Sequence, residues 1–265
     1  MRWHGGKGST RRPLSVSHDE FSDNWDAIFQ RRKDITFIYN PRLSHQCDHA
    51  EAMAKAGCKI TTDRAARGAI TIVSGPHYCS ELLRSPVAGL YMIDRSYWLD
   101  PDYVALYGLS GGLRVYGEPV EGIDKYAPDL EPYKDRRQTA LVLLDYSQSP
   151  DCEVVKEARR LFEHVRVRPH PAMEPTSPVE SLESAVMLSD VVIGGASTAL
   201  IKAAIWGKPI HCTYPQSAAY GISVPMEKLK EPTPDHRKEW LEKIKWHCFS
   251  LDEISEGVAF MALGI

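Results

Sequence analysis

The stretch from Val191 to Cys212, VVIGGASTALIKAAIWGKPIHC, sets two glycines, two hydroxyl residues and a lysine between apolar runs. Gly194 and Gly195 leave the backbone bare where a phosphate would approach, and Ser197 and Thr198 offer hydroxyl and amide donors. Lys202 follows Thr198 by one helical turn on the same face. A strand that enters a helix through such a turn aims unpaired N–H groups and a partial positive charge at an anion. The same residues also suit a plainer role, in which a hydroxyl caps the helix and the glycines let strand and helix pack closely. Upstream, RVRPHP brings Arg166, Arg168 and His170 to another strand exit, closed by Pro171. Neither turn has the spacing of a Walker loop or of GxGxxG, which argues against an ATPase or a dehydrogenase.

A repeating strand and helix pattern must position these groups. ITFIY (35–39), AITIVSG (69–75) and AGLYMID (88–94) are β-rich runs, and the helical stretch 44–57 ends on a glycine suited to its C-terminus. A charged segment with prolines, 116–137, then crosses to a second alternation. There TALVLLDYS (139–147), VRVRPHP, VVIGG and KPIHC are expected strands, with helices over 152–165, 177–190 and STALIKAAIWG. Ser177 and Glu180 have capping-box spacing, with Pro178 at the first helical position. The pattern predicts an α/β fold of two Rossmann-like parallel-sheet lobes, over 34–125 and 138–232. Helices over 233–265 are expected to pack back across the lobes, with Trp240 and Ile244 on one face. Residues 1–33 read as an extended basic arm plus a short amphipathic docking helix carrying Phe21, Trp25, Ile28 and Phe29.

The order RPHP, helix, then SDVVIGGASTALIKAAIWGKPIHC resembles the donor half of GT-B-type glycosyltransferases, in particular the bacterial capsule, sialyl and Kdo transferase group. The resemblance covers about residues 139–215. It implies that His170 and Pro171 match an HP motif, and Ser197 and Thr198 an S/T motif, that hold the nucleotide and phosphates of a sugar donor. The donor set it implies is Arg168, His170, Pro171, Gly194, Gly195, Ser197, Thr198 and Lys202. Residues 4–29, IDRSYW with LSGGLR, and the C-terminal WLEKIKWHCFSLDEISEGVAF are similar to putative phage glycosyltransferases. In a GT-B enzyme the first half binds the acceptor, and an inverting transfer needs a base for its hydroxyl proton. Asp94 is the candidate, because it ends the run GLYMID, with Arg95, Tyr97 and Trp98 as acceptor-binding neighbours. Asp94 suits an ordinary turn equally well, and Tyr97 and Trp98 suit a core.

Bulk properties narrow the partners. Hydrophobic residues make up 43% and charged ones 25% of 265 residues, ordinary globular composition with no run long enough to span a membrane. Met1 leads into Arg-Trp-His-Gly-Gly rather than an apolar leader, so the expected location is cytoplasmic, in the host if the protein is phage-encoded. Six scattered cysteines without CxxC, and histidines without HExxH, predict neither a disulfide framework nor a zinc site. The expectation is a metal-independent enzyme with no cofactor beyond a nucleotide-sugar co-substrate. A net charge of -3 excludes wholesale coating of nucleic acid, but Arg2, His4, Lys7, Arg11 and Arg12 form a local basic arm that suits phosphate contacts. With the phage resemblance, a hydroxymethylated pyrimidine in DNA becomes the favoured acceptor, reached by base extrusion. A glycan acceptor and a non-enzymatic nucleic-acid or virion module are the alternatives.

Overall fold

The computed structural model describes residues 34–74, 89–97, 102–110, 113–133, 138–145, 148–170, 173, 180–195, 197–215 and 217–265. The basic arm with its docking helix, Trp98, Pro171, and the proposed cap Ser177 with Pro178 lie outside them. Strand β1 (Ile35–Ile38) is apolar and β-branched enough to be buried at every position. Helix α1 (Ser44–Lys55) buries Gln46, His49, Ala50 and Met53, a stripe at helical spacing, and ends at Gly57, whose φ of 88° only glycine adopts freely. Strands β2 (Lys59–Thr61), β3 (Ile70–Ser74) and β4 (Leu90–Arg95) follow, parallel to β1 in the order β4-β3-β1-β2.

The first sheet then departs from the all-parallel expectation. Strand β5 (Tyr103–Ser110) lies antiparallel to β4 and pairs antiparallel with β6 (Leu113–Val115), so the parallel part gains an antiparallel flank. The second sheet is wholly parallel. It comprises β7 (Thr139–Leu143), α2 (Glu153–Leu161), β8 (His164–Arg168), α3 (Leu182–Met187), β9 (Val191–Gly194), α4 (Thr198–Ile205) and β10 (Ile210–Cys212), with strand order β10-β9-β7-β8. Helix α2 stops earlier than expected because Phe162 turns extended to enter the core, and residues 164–168 become strand. Helix α3 begins at Leu182 rather than near 177. Its cap is Ser181, whose side chain accepts from Ser184 N, and Glu180 lies before the helix, bound to Arg166.

The C-terminal segment is not helical throughout. After α5 (Arg237–Ile244), residues Cys248–Ser250 form β11, which pairs antiparallel with β5 of the first sheet. Helices α6 (Leu251–Ser255) and α7 (Val258–Leu263) then cover that sheet beside α1. Trp240, Leu241 and Ile244 of α5 pack instead with α4 and the second sheet. The chain between the sheets is held from both sides. Lys125 Nζ binds Glu253 at 3.0 Å and lies over the Phe249 ring, while Arg237 Nη1 donates to the carbonyls of Glu131 and Ala204. Gly207 abuts Pro132 so closely that a Cβ would lie 2.1 Å from the Pro132 carbonyl oxygen.

Both sheets contain a reversal of strand order. From β1 the chain passes to β2 on one side and β3 on the other; from β7 it passes to β8 on one side and β9 on the other. The crevice outside the carboxyl ends at such a point is where open α/β sheets take ligands.

Candidate functional site

At the second reversal, β7 leads into Leu144 and Asp145 while β9 leads into Gly194 and Gly195. Asp145 meets Gly195 directly: a Cβ there would lie 2.0 Å from Asp145 Oδ2, so any side chain at this position would displace the carboxylate. This corrects the expectation that Gly195 is bare for a phosphate, because a carboxylate fills that face and repels one. Gly194 is bare for packing, since its Cβ position lies 3.3 Å from Leu143 Cβ. The Gly194 carbonyl accepts from Thr213 N at 2.9 Å, and the Gly195 carbonyl accepts from Cys212 Sγ at 3.2 Å. Burial raises the pKa of the Cys212 thiol, with nearby Asp145 adding to it. Gln148 Oε1 accepts from Asp145 N at 2.9 Å and fixes the turn.

Ser197 is the N-cap of α4. Its hydroxyl accepts from Ala199 N at 3.2 Å, so the capping role foreseen for this residue is the one its oxygen fills. Thr198 is the first helical residue and is half-buried, as is Lys202 one turn later. Arg166 is withdrawn from anion binding: it pairs with Glu180 and donates to the Ala185 carbonyl at 3.2 Å, fastening α3 to β8. Arg168 differs. It ends β8 level with Leu143, is half-buried, and makes one hydrogen bond among the described residues, from Nη1 to the Glu180 carbonyl at 2.7 Å. A guanidinium has five N–H groups, so four have no partner among the described residues. His170, two residues on, is exposed. The structure thus brings Arg168, Asp145 and the start of α4 to the carboxyl edge of one sheet.

At the first sheet, Asp94 lies within β4 opposite Ala105, half-buried near the carboxyl end. The side chain of the next residue, Arg95, lies outside the described residues. Tyr97 does not present an open stacking face. It is 2% exposed, packed in the core cluster of the second lobe and edge-on to His247. Its burial explains the correction, because a ring of this area contributes more as core between lobes than in solvent. At the first reversal a polar group appears that the spacing of apolar residues did not reveal. His49 Nδ1 lies 3.2 Å from Ser74 Oγ, Gln46 Nε2 donates to the Ser74 carbonyl at 3.1 Å, and Gln46 Oε1 accepts from Asn40 N at 2.8 Å. The available signal was that Gln46 and His49 sit in the buried stripe of α1 at positions otherwise apolar.

Among the described residues, no group of three His, Cys, Asp or Glu could hold a metal ion, and no helix is long and apolar enough to cross a membrane. No protein-family model matches the chain, and no curated protein matches it. Among solved structures, the chain is similar to the beta Kdo 2,7 transferase KpsC of Thermosulfurimonas dismutans, at 15% identity and a TM-score of 0.47, over 85% of this chain and 99% of that one.

Proposed function

We propose that this protein is a glycosyltransferase that moves a sugar from a nucleotide-sugar donor to a hydroxyl acceptor, with the donor at the second sheet and the acceptor at the first. The observation that carries the reading is Arg168, held by one hydrogen bond among the described residues at the carboxyl edge beside the β7/β9 reversal, with the α4 N-terminus and Asp145 on the same edge. The donor's charge goes to Arg168, His170, Thr198 and Lys202. Asp145, in place of the bare Gly195, supplies acceptors for donor hydroxyls or an exocyclic amine. A single sheet edge that pairs a cation for phosphate with a carboxylate for hydroxyls suits a nucleotide better than inorganic phosphate.

Replacing Arg168 by alanine removes a charge-assisted contact worth about 1.5–3 kcal/mol, so donor affinity should fall about tenfold or more. Calorimetric titration with UDP-, CMP- and GDP-sugars measures it, and unchanged affinity for the sugar nucleotide that binds would remove the assignment. For the acceptor, the charge pattern of Arg2, His4, Lys7, Arg11 and Arg12 favours a hydroxymethylated pyrimidine in DNA over a glycan. Deleting residues 1–13 should then weaken transfer to DNA while leaving donor affinity intact; equal transfer by both forms would favour the glycan.

A further inference from the structure

Helix α1 carries a buried polar pair in a place where apolar side chains would cost less. Its sheet-facing stripe runs Gln46, His49, Ala50, Met53, and only the half nearest the carboxyl ends of β1 and β3 is polar. Gln46 spends its amide on the Ser74 carbonyl and the Asn40 amide, and Asn40 Oδ1 accepts from Arg42 N at 3.1 Å. Those bonds hold the exits of β1 and β3 at a set separation. His49 Nδ1 faces Ser74 Oγ at 3.2 Å, and Nε2 has no hydrogen-bond partner among the described residues. His49 Nε2 is not among the buried orphan atoms of the described residues, so one ring nitrogen is fixed by Ser74 while the other is left open at the strand exits, and a ring held this way is a candidate for function.

We propose that the β1/β3 reversal is the acceptor site and that His49 is the base that takes the acceptor hydroxyl proton. The inference rests on the glycosyltransferase reading and adds the residue that reading lacked. Nδ1 carries the ring proton and donates to Ser74 Oγ, which leaves Nε2 as the acceptor. As the acceptor oxygen bonds to the anomeric carbon of the sugar, its proton passes to Nε2. The electron pair of the bond between that carbon and the phosphate oxygen departs with the nucleotide, and the imidazolium later returns its proton to solvent. Burial, reinforced by His45, lowers the His49 pKa to about 4, which gives the ring the basicity of the carboxylates that more often do this work. Ser74 and Asp94 sit on neighbouring strands, with Ser74 level with Ile93, so the two candidate bases lie on opposite faces of one sheet edge.

The experiment compares wild type with H49N, H49A and D94N, using the sugar nucleotide that binds wild type as donor. A duplex containing 5-hydroxymethylcytosine and a soluble oligosaccharide serve as acceptors. In H49N the amide still reaches Ser74, so donor affinity should hold while transfer falls about 10²- to 10⁴-fold. Added imidazole should restore part of the transfer in H49A. D94N should transfer more than H49N does. Transfer by H49N within about threefold of wild type overturns the proposal, as does a loss without imidazole rescue that tracks a fall in thermal midpoint. Wild type that binds a donor yet transfers to neither acceptor also overturns it, whereas wild type that binds no sugar nucleotide overturns the enzyme reading beneath it.

Discussion

Asp145 and Gly195 form the tightest pairing at the candidate donor edge. Gly195→Ala places a methyl group against the carboxylate, and overpacking of this kind costs about 1–3 kcal/mol. Denaturant unfolding should show that loss, and the double variant with Asp145→Ala should recover most of it, since residues in contact couple by about 0.5–3 kcal/mol. Additive losses would mean that the two do not meet. The glycines, hydroxyls and Arg168 were legible because a Gly-Gly-x-Ser-Thr turn and a basic strand exit are local patterns. Asp145 ends TALVLLD as Asp94 ends GLYMID, so the same local signal was present, but its place against Gly195 appears only when β7 and β9 lie side by side. His49 was hidden for the related reason that a histidine in a helical stripe reads as core until its neighbour on β3 is known.

Among the elements, the helix caps separate structure from binding. Ser181, Ser197 and Ser250 each accept a backbone N–H, and Ser250 with Glu253 completes a capping box. Ser197→Ala should lower stability by about 1 kcal/mol through loss of the cap to Ala199 N, and any fall in donor affinity beyond about twofold would mean that the hydroxyl also donates its proton to the ligand. A large loss of affinity with unchanged stability would return Ser197 to the ligand. The parallel strands β1, β3, β4 and β7–β10 were readable from apolar, β-branched runs such as ITFIY and VVIGG, whereas β2, β5 and β6 were not foreseen. The expected cap Ser177 lies outside the described residues, but its partner Glu180 stands before α3, paired with Arg166, and the cap of the described helix is Ser181. Strand β11 escaped because CFS has three residues, too few for periodicity, and it forms by pairing with β5 from far along the chain.

At the scale of the molecule, the segment joining the sheets is clamped. Arg237 is 1% exposed, binds Asp235 and two carbonyls, and stacks on Tyr133. Arg237→Ala leaves those carbonyls unpaired and should cost about 3 kcal/mol, seen as a lower denaturant midpoint; a loss near zero would contradict the clamp. Stability should also depend on acid. His247 stacks on Tyr116 at 3.7 Å with Nδ1 buried, and burial lowers its pKa to about 3, as it lowers that of His49 to about 4. Both rings stay neutral when folded and protonate below about 6.5 when unfolded, so this contribution is whole above that pH and is lost as pH falls towards 4 and 3. Where both titrate the slope approaches about 2.7 kcal/mol per pH unit, and His247→Phe should roughly halve it in denaturant curves between pH 6 and about pH 4. An unchanged slope would mean that His247 reaches solvent. The central claim concerns the carboxyl edge of the second sheet, and calorimetric titration of wild type and Arg168→Ala with UDP-, CMP- and GDP-sugars reaches it most directly. Saturable binding of one nucleotide class, weakened about tenfold or more by the substitution, is the expected result; a wild type that binds none of them would contradict the account.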